Sequence, residues 1–263
     1  MKTKVCLACL PFYNHVFSPP IQLAYLKSYL QQSSLLEVKA LDLEAYCFKS
    51  AAINGYVDLY WDKTINPEVN LDETMRRVLD EMVALILAED PAIVGFSTYS
   101  CNMLFTRYVT GRLKALKPGI FIVYGGLSYC FRSEPTKYAV GFHRTYPDVD
   151  CIVTNEGEAA LLDVAESFAR GLRPPMCKGT TVRSGDTIVD CGARDFIADV
   201  DAIPFPDFSD FRREDYLGDF IRIMFNRGCV GRCAFCSDNY FTTARCRSAA
   251  NIVEEIRVRM KQG

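Results

Sequence analysis

Apolar residues fall along this chain in short, nearly unbroken runs separated by longer amphipathic stretches. VCLACL (5–10), VKALDL (38–43), AIVGFS (92–97) and IFIVYGG (120–126) are such runs, and VDCIVT (149–154) is a fifth. Continuous rather than alternating apolar residues mark strands covered on both faces, as in a parallel sheet. Between and after them, helical patterns are predicted over 21–32, 71–88, 102–116 and 158–170. In the second, Met75, Val78, Leu79, Met82, Val83 and Ile86 make one stripe. Ser18 reads as a cap, with Pro19 and Pro20 in the first turn of the helix that begins at 21. Pro118-Gly119 stops the third helix. Strand–helix alternation of this kind predicts an α/β fold with a doubly wound parallel sheet over residues 1–172. The stretch 51–70 has no regular pattern and is not assigned.

The texture changes after Gly171. Arg173-Pro174-Pro175 reads as a linker, TTVRSGDTIVD (180–190) as a small hairpin turning at Ser184-Gly185-Asp186, and AIPFPDFSDF (202–211) as extended chain. This gives a connecting region over 173–218. A second unit then begins at 219. FIRIMFN (220–226) is predicted to be a strand whose end runs into RGCVGRCAFCSDNY (227–240). Ser248 can cap a last helix over 249–262, closed by Gly263.

Composition narrows the class. With 263 residues, 49% hydrophobic and 24% charged, the chain can bury a sizeable core and reach about two domains. A net charge of −2 argues against a dominant electrostatic grip on nucleic acid or acidic membrane. No apolar run reaches the roughly 18 residues that span a bilayer. MKTKVCLACLPF invites a signal-peptide reading, but its apolar run ends at Pro11 without a clean small-residue cleavage site. A buried first strand and a cytoplasmic location are expected. In that reducing compartment the twelve cysteines are thiols or metal ligands.

Three of them, Cys229, Cys233 and Cys236, are spaced C-x3-C-x2-C. Thiolates are soft donors suited to zinc or iron–sulfur groups. A structural zinc normally takes four ligands in two close pairs. Three ligands on a cubane cluster leave one iron open. From the residues alone, three other readings stand: zinc completed by Cys246, a four-cysteine electron-transfer cluster, or chance crowding. Cys246 by itself reads as a buried thiol.

With a strand before it and a helix after it, this motif resembles the radical S-adenosylmethionine superfamily. The resemblance implies that Cys229, Cys233 and Cys236 hold a 4Fe-4S cluster whose fourth iron chelates S-adenosylmethionine. One electron then splits a carbon–sulfur bond to give methionine and a 5′-deoxyadenosyl radical. It also places Phe235, just before the third cysteine, near the adenine. SPPIQLAYLKSYL (18–30), LDLEA (41–45), VGFSTYS (94–100), VYGGLSY (123–129), VDCIVTNEGEAALLD (149–163) and DVDAIPFPDF (199–208) resemble the Rossmann-like cobalamin-binding domain that precedes many radical proteins. Open α/β sheets bind ligands at the carboxyl ends of their strands. The implied cobalamin residues are therefore Ser97, Thr98 and Tyr99, then Gly125 and Gly126, then Asn155, Glu156, Gly157 and Glu158. Each could also be a turn or cap residue. D-x-H-x-x-G is absent, and His15 and His143, the only histidines, lie outside any such motif; His15, after the first strand, could approach the cofactor.

The same resemblance implies a partial TIM-type barrel over 219–263, of which only the first strand–loop–helix unit is present. A complete barrel needs about 250 residues. The expectation is a truncated, fragmentary or split enzyme. Its parent would methylate or rearrange an unactivated carbon of a small molecule or peptide under anaerobic conditions. The implied partners are a flavodoxin- or ferredoxin-like reductant and a separate chain carrying the rest of the barrel, with no nucleic acid or membrane. The rival is a non-catalytic cobalamin-binding or sensing module with a vestigial cluster loop. Arg227, Arg232, Arg245 and Arg247 around the motif could hold a carboxylate or tune the cluster, though surface arginine is the commoner outcome; Glu254-Glu255 reads as a solvated helix face; and the Glu156/Glu158 carboxylates could be a general acid–base pair, though one of them more simply caps the following helix.

Overall fold

The apolar runs become strands because each has two faces to bury. The protein is described by a computed structural model over residues 2–11, 16–49, 71, 73–99, 101–126, 135–231, 233 and 243–262. Strands β1 (Thr3–Cys9), β2 (Leu36–Asp42), β3 (Ile93–Ser97), β4 (Phe121–Gly125) and β5 (Cys151–Val153) form a parallel sheet in the order β2-β1-β3-β4-β5. Side chains alternate across a strand. From β1, Cys6 and Ala8 therefore face one core while Val5, Leu7 and Cys9 face the other.

Helices α1 (Ile21–Leu30) and α6 (Gly157–Ala169) cover the Leu7 side. Helices α3 (Glu73–Ala88), α4 (Met103–Leu116) and α5 (Pro135–Thr145) cover the Ala8 side, and α2 (Leu43–Lys49) follows β2 directly. All six stripe residues of α3 are buried. Each such side chain is worth about 1.5–3 kcal/mol relative to exposure.

The hairpin of β6 (Thr180–Ser184) and β7 (Thr187–Asp190) is not loose connecting chain. It pairs antiparallel with β5, matching Val182 to Cys151, and extends the sheet to seven strands. Its two-residue turn uses Gly185 at φ +58°. His143 secures it from α5. Fully buried, its ring nitrogens lie 3.2 Å from Val149 O and 3.1 Å from Thr181 O, and burial lowers its pKa.

The structure differs from the sequence reading at several other points. Helix α2 was not expected; Asp42 Oδ1 caps it, accepting the N–H groups of Glu44 and Ala45 at 3.1 and 3.2 Å. Helix α5 was not expected either, and proline opens it. Helix α1 begins at Ile21 as expected, but Pro20 rather than Ser18 holds its cap position. Among the described residues the buried Ser18 hydroxyl has no hydrogen-bond partner, so it does not cap the helix, and the prolines precede the first turn. The strand expected at 220–226 reduces to β8 (Asn226–Arg227), which pairs antiparallel with β9 (Arg245–Cys246). A strand needs a ladder partner. Here the ladder runs only one step beyond β8, with the Arg247 N–H donating to Phe225 O at 2.9 Å, and the Arg247 side chain takes the Met224 carbonyl. Helix α7 (Ala249–Gln262) forms as expected, with Ser248 Oγ accepting the Asn251 N–H at 3.2 Å.

Chain from the connecting region is tied back onto the sheet by charge. Buried Lys27 of α1 lies 3.1 Å from Asp207 and 2.8 Å from Asp210. Asp210 also accepts from Lys39 Nζ and from the Ala40 N–H, each at 2.9 Å, on the outer side of edge strand β2. Among the described residues, no helix is long and apolar enough to cross a membrane.

Candidate functional site: a sheet-end cavity beneath a cysteine loop

Strand order reverses at β1, and open α/β sheets take ligands at such a point, beyond the carboxyl ends of the strands. A cavity of about 230 Å³ lies there. Its floor is apolar, built from Leu7, Val123, Val153 and Leu161. Gly95 of β3 belongs to the same floor; a Cβ there would come within 3.1 Å of Leu7. Ser97, Asn155 and Gln22 supply polar groups to the lining. The volume is below the roughly 300–1,000 Å³ of sites for drug-sized ligands. It suits one or two fused rings, and a larger ligand must extend through the mouth.

The residues singled out from sequence divide into three groups. Ser97, Gly125, Gly126, Asn155, Gly157 and Glu158 line the cavity. Thr98 does not; its N–H and Oγ1 both bond Gly125 O, at 2.7 and 2.8 Å, and lock β3 to β4. Gly126 is required by that lock. It has φ +108°, and a Cβ would lie 2.7 Å from Thr98 O. Tyr99 packs on the α1–α6 side, donates its N–H to Asn102 Oδ1, and burial pushes its pKa up to about 12. Phe235, Cys236, His15 and Arg232 lie outside the described residues.

Glu156 leaves the helix cap to its backbone and makes an ion pair. Its carboxylate accepts from Arg245 at 2.5 and 3.0 Å and from the Ile197 N–H at 3.0 Å. Burial opposes its ionisation, but Arg245, Ile197 and Arg227 outweigh that and hold the carboxyl below its ordinary value. Glu158 pairs with Arg227. Burial works against the Arg227 charge, and Glu158 and Glu156 overcome it. Arg247 is buried with Glu255 of α7, which is fully buried, and its Nη1 lies 3.4 Å from the hydroxyl of Tyr25. Of the arginines at 227, 245 and 247, Arg247 is therefore a buried ion-pair donor and Arg227 and Arg245 are half-buried ones. Of the expected solvated pair, only Glu254 is exposed. Sequence reasoning missed Gln22, Tyr25, Met224 and Arg227 as cavity residues. For Arg227 the signal was its place immediately before Gly228-Cys229.

Those arginines sit on the stems of the cysteine loop. Cys229 and Cys233 are exposed, as is Cys246, which was expected to be buried. A Cβ placed on Gly231 would lie 3.4 Å from Cys229 Sγ and 3.7 Å from Cys233 Sγ. The Gly231 N–H points to Cys229 Sγ at 3.3 Å. Two accessible thiols converging on a residue without a side chain fit a soft metal or iron–sulfur group. With the third cysteine of the motif outside the described residues, no group of three or more candidate ligands is gathered among those that are described.

Comparison with known proteins extends this picture. The chain superposes with a TM-score of 0.69 on OxsB, a cobalamin-dependent S-adenosylmethionine radical enzyme, solved with aqua-cobalamin and S-adenosylmethionine bound. It shares the fold. Identity is 17%, over 97% of this chain and 31% of OxsB. The radical S-adenosylmethionine methyltransferase TsrM from Kitasatospora setae aligns over the whole chain and 46% of its own, with a TM-score of 0.63 and 17% identity. In sequence, an uncharacterized methyltransferase of Pyrococcus horikoshii is 26% identical over 184 residues, covering 68% of this chain and 39% of that protein. The chain thus spans less than half of each of these proteins. No family model matches it.

Proposed function

We propose that this chain is the cofactor-binding part of a cobalamin-dependent radical S-adenosylmethionine methyltransferase. The observation that carries it is the convergence of Cys229 and Cys233 on Gly231, on a loop whose stems are ion-paired to the rim of the sheet-end cavity. The shared fold with OxsB and TsrM supports the same reading. Cys229 and Cys233, with Cys236, would hold a 4Fe-4S cluster, and Phe235 would serve the binding of S-adenosylmethionine. When bound, the cluster supplies the electron that splits the sulfonium and cobalamin supplies the methyl carrier.

The chain's own residues bind and orient. The cavity would hold the two-ring base of the cobalamin tail. Apolar Leu7, Val123, Val153 and Leu161 enclose that base and exclude water. Ser97 and Asn155 supply hydrogen-bonding groups to its nitrogen edge. The substrate is a small molecule or peptide with an unactivated carbon, the electron donor is a flavodoxin- or ferredoxin-like protein, and the setting is the anaerobic cytoplasm.

Anaerobic reconstitution with iron and sulfide tests the reading. The expected result is a cluster EPR signal that changes on adding S-adenosylmethionine, and a corrinoid absorption band retained after gel filtration with cobalamin. An unchanged EPR signal with cobalamin retained would leave only a cobalamin-binding module.

A further inference from the structure

The cavity and the cysteine loop belong to different parts of the chain, yet every stem of the loop reaches back to the cavity wall through an arginine. Arg227, directly before Gly228-Cys229, pairs with Glu158, and both residues line the cavity. Arg245, on the partner strand β9, pairs with Glu156, one residue before α6 begins. Arg247, next along, lies 3.4 Å from the hydroxyl of Tyr25, a third cavity residue, while bonding Met224 O at 2.9 Å. The carboxylates and arginines of the first two pairs are each about one-tenth exposed. They are screened little by salt, and their geometry is fixed by several bonds at once.

We propose that Glu158–Arg227, braced by Glu156–Arg245, is a latch that couples the cavity to the cysteine loop: filling the cavity sets the position of Cys229 and thereby the environment of the metal group it holds. The coupling rests on the function proposed above for its ligands. Arg227 and Glu158 are positioning residues in it. A ligand entering the cavity contacts Glu158 and Arg227 directly, because both form its wall. Any adjustment of Arg227 passes through two peptide bonds to Cys229. Linkage of this kind is reciprocal: the state of the loop must also alter affinity at the cavity.

The test uses the whole chain as wild type, Glu158→Gln and Arg227→Gln. Cobalamin binding is read from the corrinoid band. The midpoint potential of the iron-loaded protein is read by EPR redox titration with and without cobalamin. In parallel, alkylation of Cys229 by iodoacetamide is followed by mass spectrometry in iron-free protein. In the wild type, cobalamin should shift the potential and slow Cys229 alkylation severalfold. In both variants, measured at cobalamin concentrations that saturate each protein, neither the shift nor the protection should appear. The latch is overturned if both cofactors bind the wild type and neither readout responds, or if the variants respond as the wild type does. If iron is not retained at all, the cluster assignment fails, and the alkylation arm still decides the latch. If cobalamin does not bind, both proposals fall.

Discussion

Glu255 offers a sharp test of how the cysteine-bearing unit is held to the sheet. The carboxylate is fully buried against Arg247, whose side chain is 4% exposed. Arg259 Nη2 lies 3.8 Å from its other oxygen. Glu255→Ala would leave two guanidinium groups near one another with no carboxylate between them. Arg247 would keep its bonds to Asn251 Oδ1 at 2.6 Å and to Met224 O at 2.9 Å, but not its counter-charge. Opposite charges about 4 Å apart attract by about 4 kcal/mol at an effective dielectric of about 20. Removing one partner of a buried pair costs about 3–5 kcal/mol. For a chain of this size that is a fall in Tm of roughly 10 °C. The double variant Arg247→Met/Glu255→Leu replaces the pair by apolar volume and should return to within about 1 kcal/mol of wild type. Urea titrations followed by circular dichroism measure both. A loss below about 1 kcal/mol for Glu255→Ala would refute the reasoning, since it would mean that water already reaches the pair.

Other outcomes follow from the same geometry. Burial opposes the charge on Asp207, but the Ser209 backbone and side chain and the Lys27 ammonium outweigh it and hold its pKa at about 2. Its contribution is therefore present above its ordinary value of 3.8 and lost as pH falls toward 2. Between pH 5 and pH 2 the wild type should lose about 2 kcal/mol more stability than Asp207→Asn, as read by urea midpoints at each pH. Gly126→Ala puts a Cβ against the Thr98 carbonyl at positive φ. It should cost about 1–3 kcal/mol in thermal melts and weaken cobalamin retention through the shifted loop. Cys229→Ser or Cys233→Ser should abolish the cluster absorbance after reconstitution while leaving the corrinoid band unchanged.

The sheet was legible because burial on both faces leaves a plain signature. The runs at 5–10, 92–97 and 120–126 fall within a residue or two of β1, β3 and β4. The α3 stripe is an amphipathic face that the structure buries at every predicted position. What was not legible depends on partners distant in sequence. FIRIMFN has strand propensity, but β9 offers a ladder only to its last residues, and the Arg247 side chain takes the Met224 carbonyl. Glu255 looks solvated because its neighbours Glu254 and Arg257 are, and only the arrival of Arg247 from outside the helix reveals the pair. Glu156 and Glu158 were visible as site residues, but their arginines lie between 69 and 89 positions away. The cavity's polar rim could be read from strand ends; its α1 wall could not, since Gln22 and Tyr25 carry no motif.

The two rims of the seven-stranded sheet are closed in different ways, and this limits how the molecule can associate. At β2, Asp210 occupies the Ala40 N–H that a neighbouring strand would need. At the other rim stands β7, a four-residue strand turned back by a hairpin, too short to template a long ladder. Stacking of chains through the main sheet is thereby discouraged, so crowding or overexpression should yield monodisperse protein sooner than fibrils.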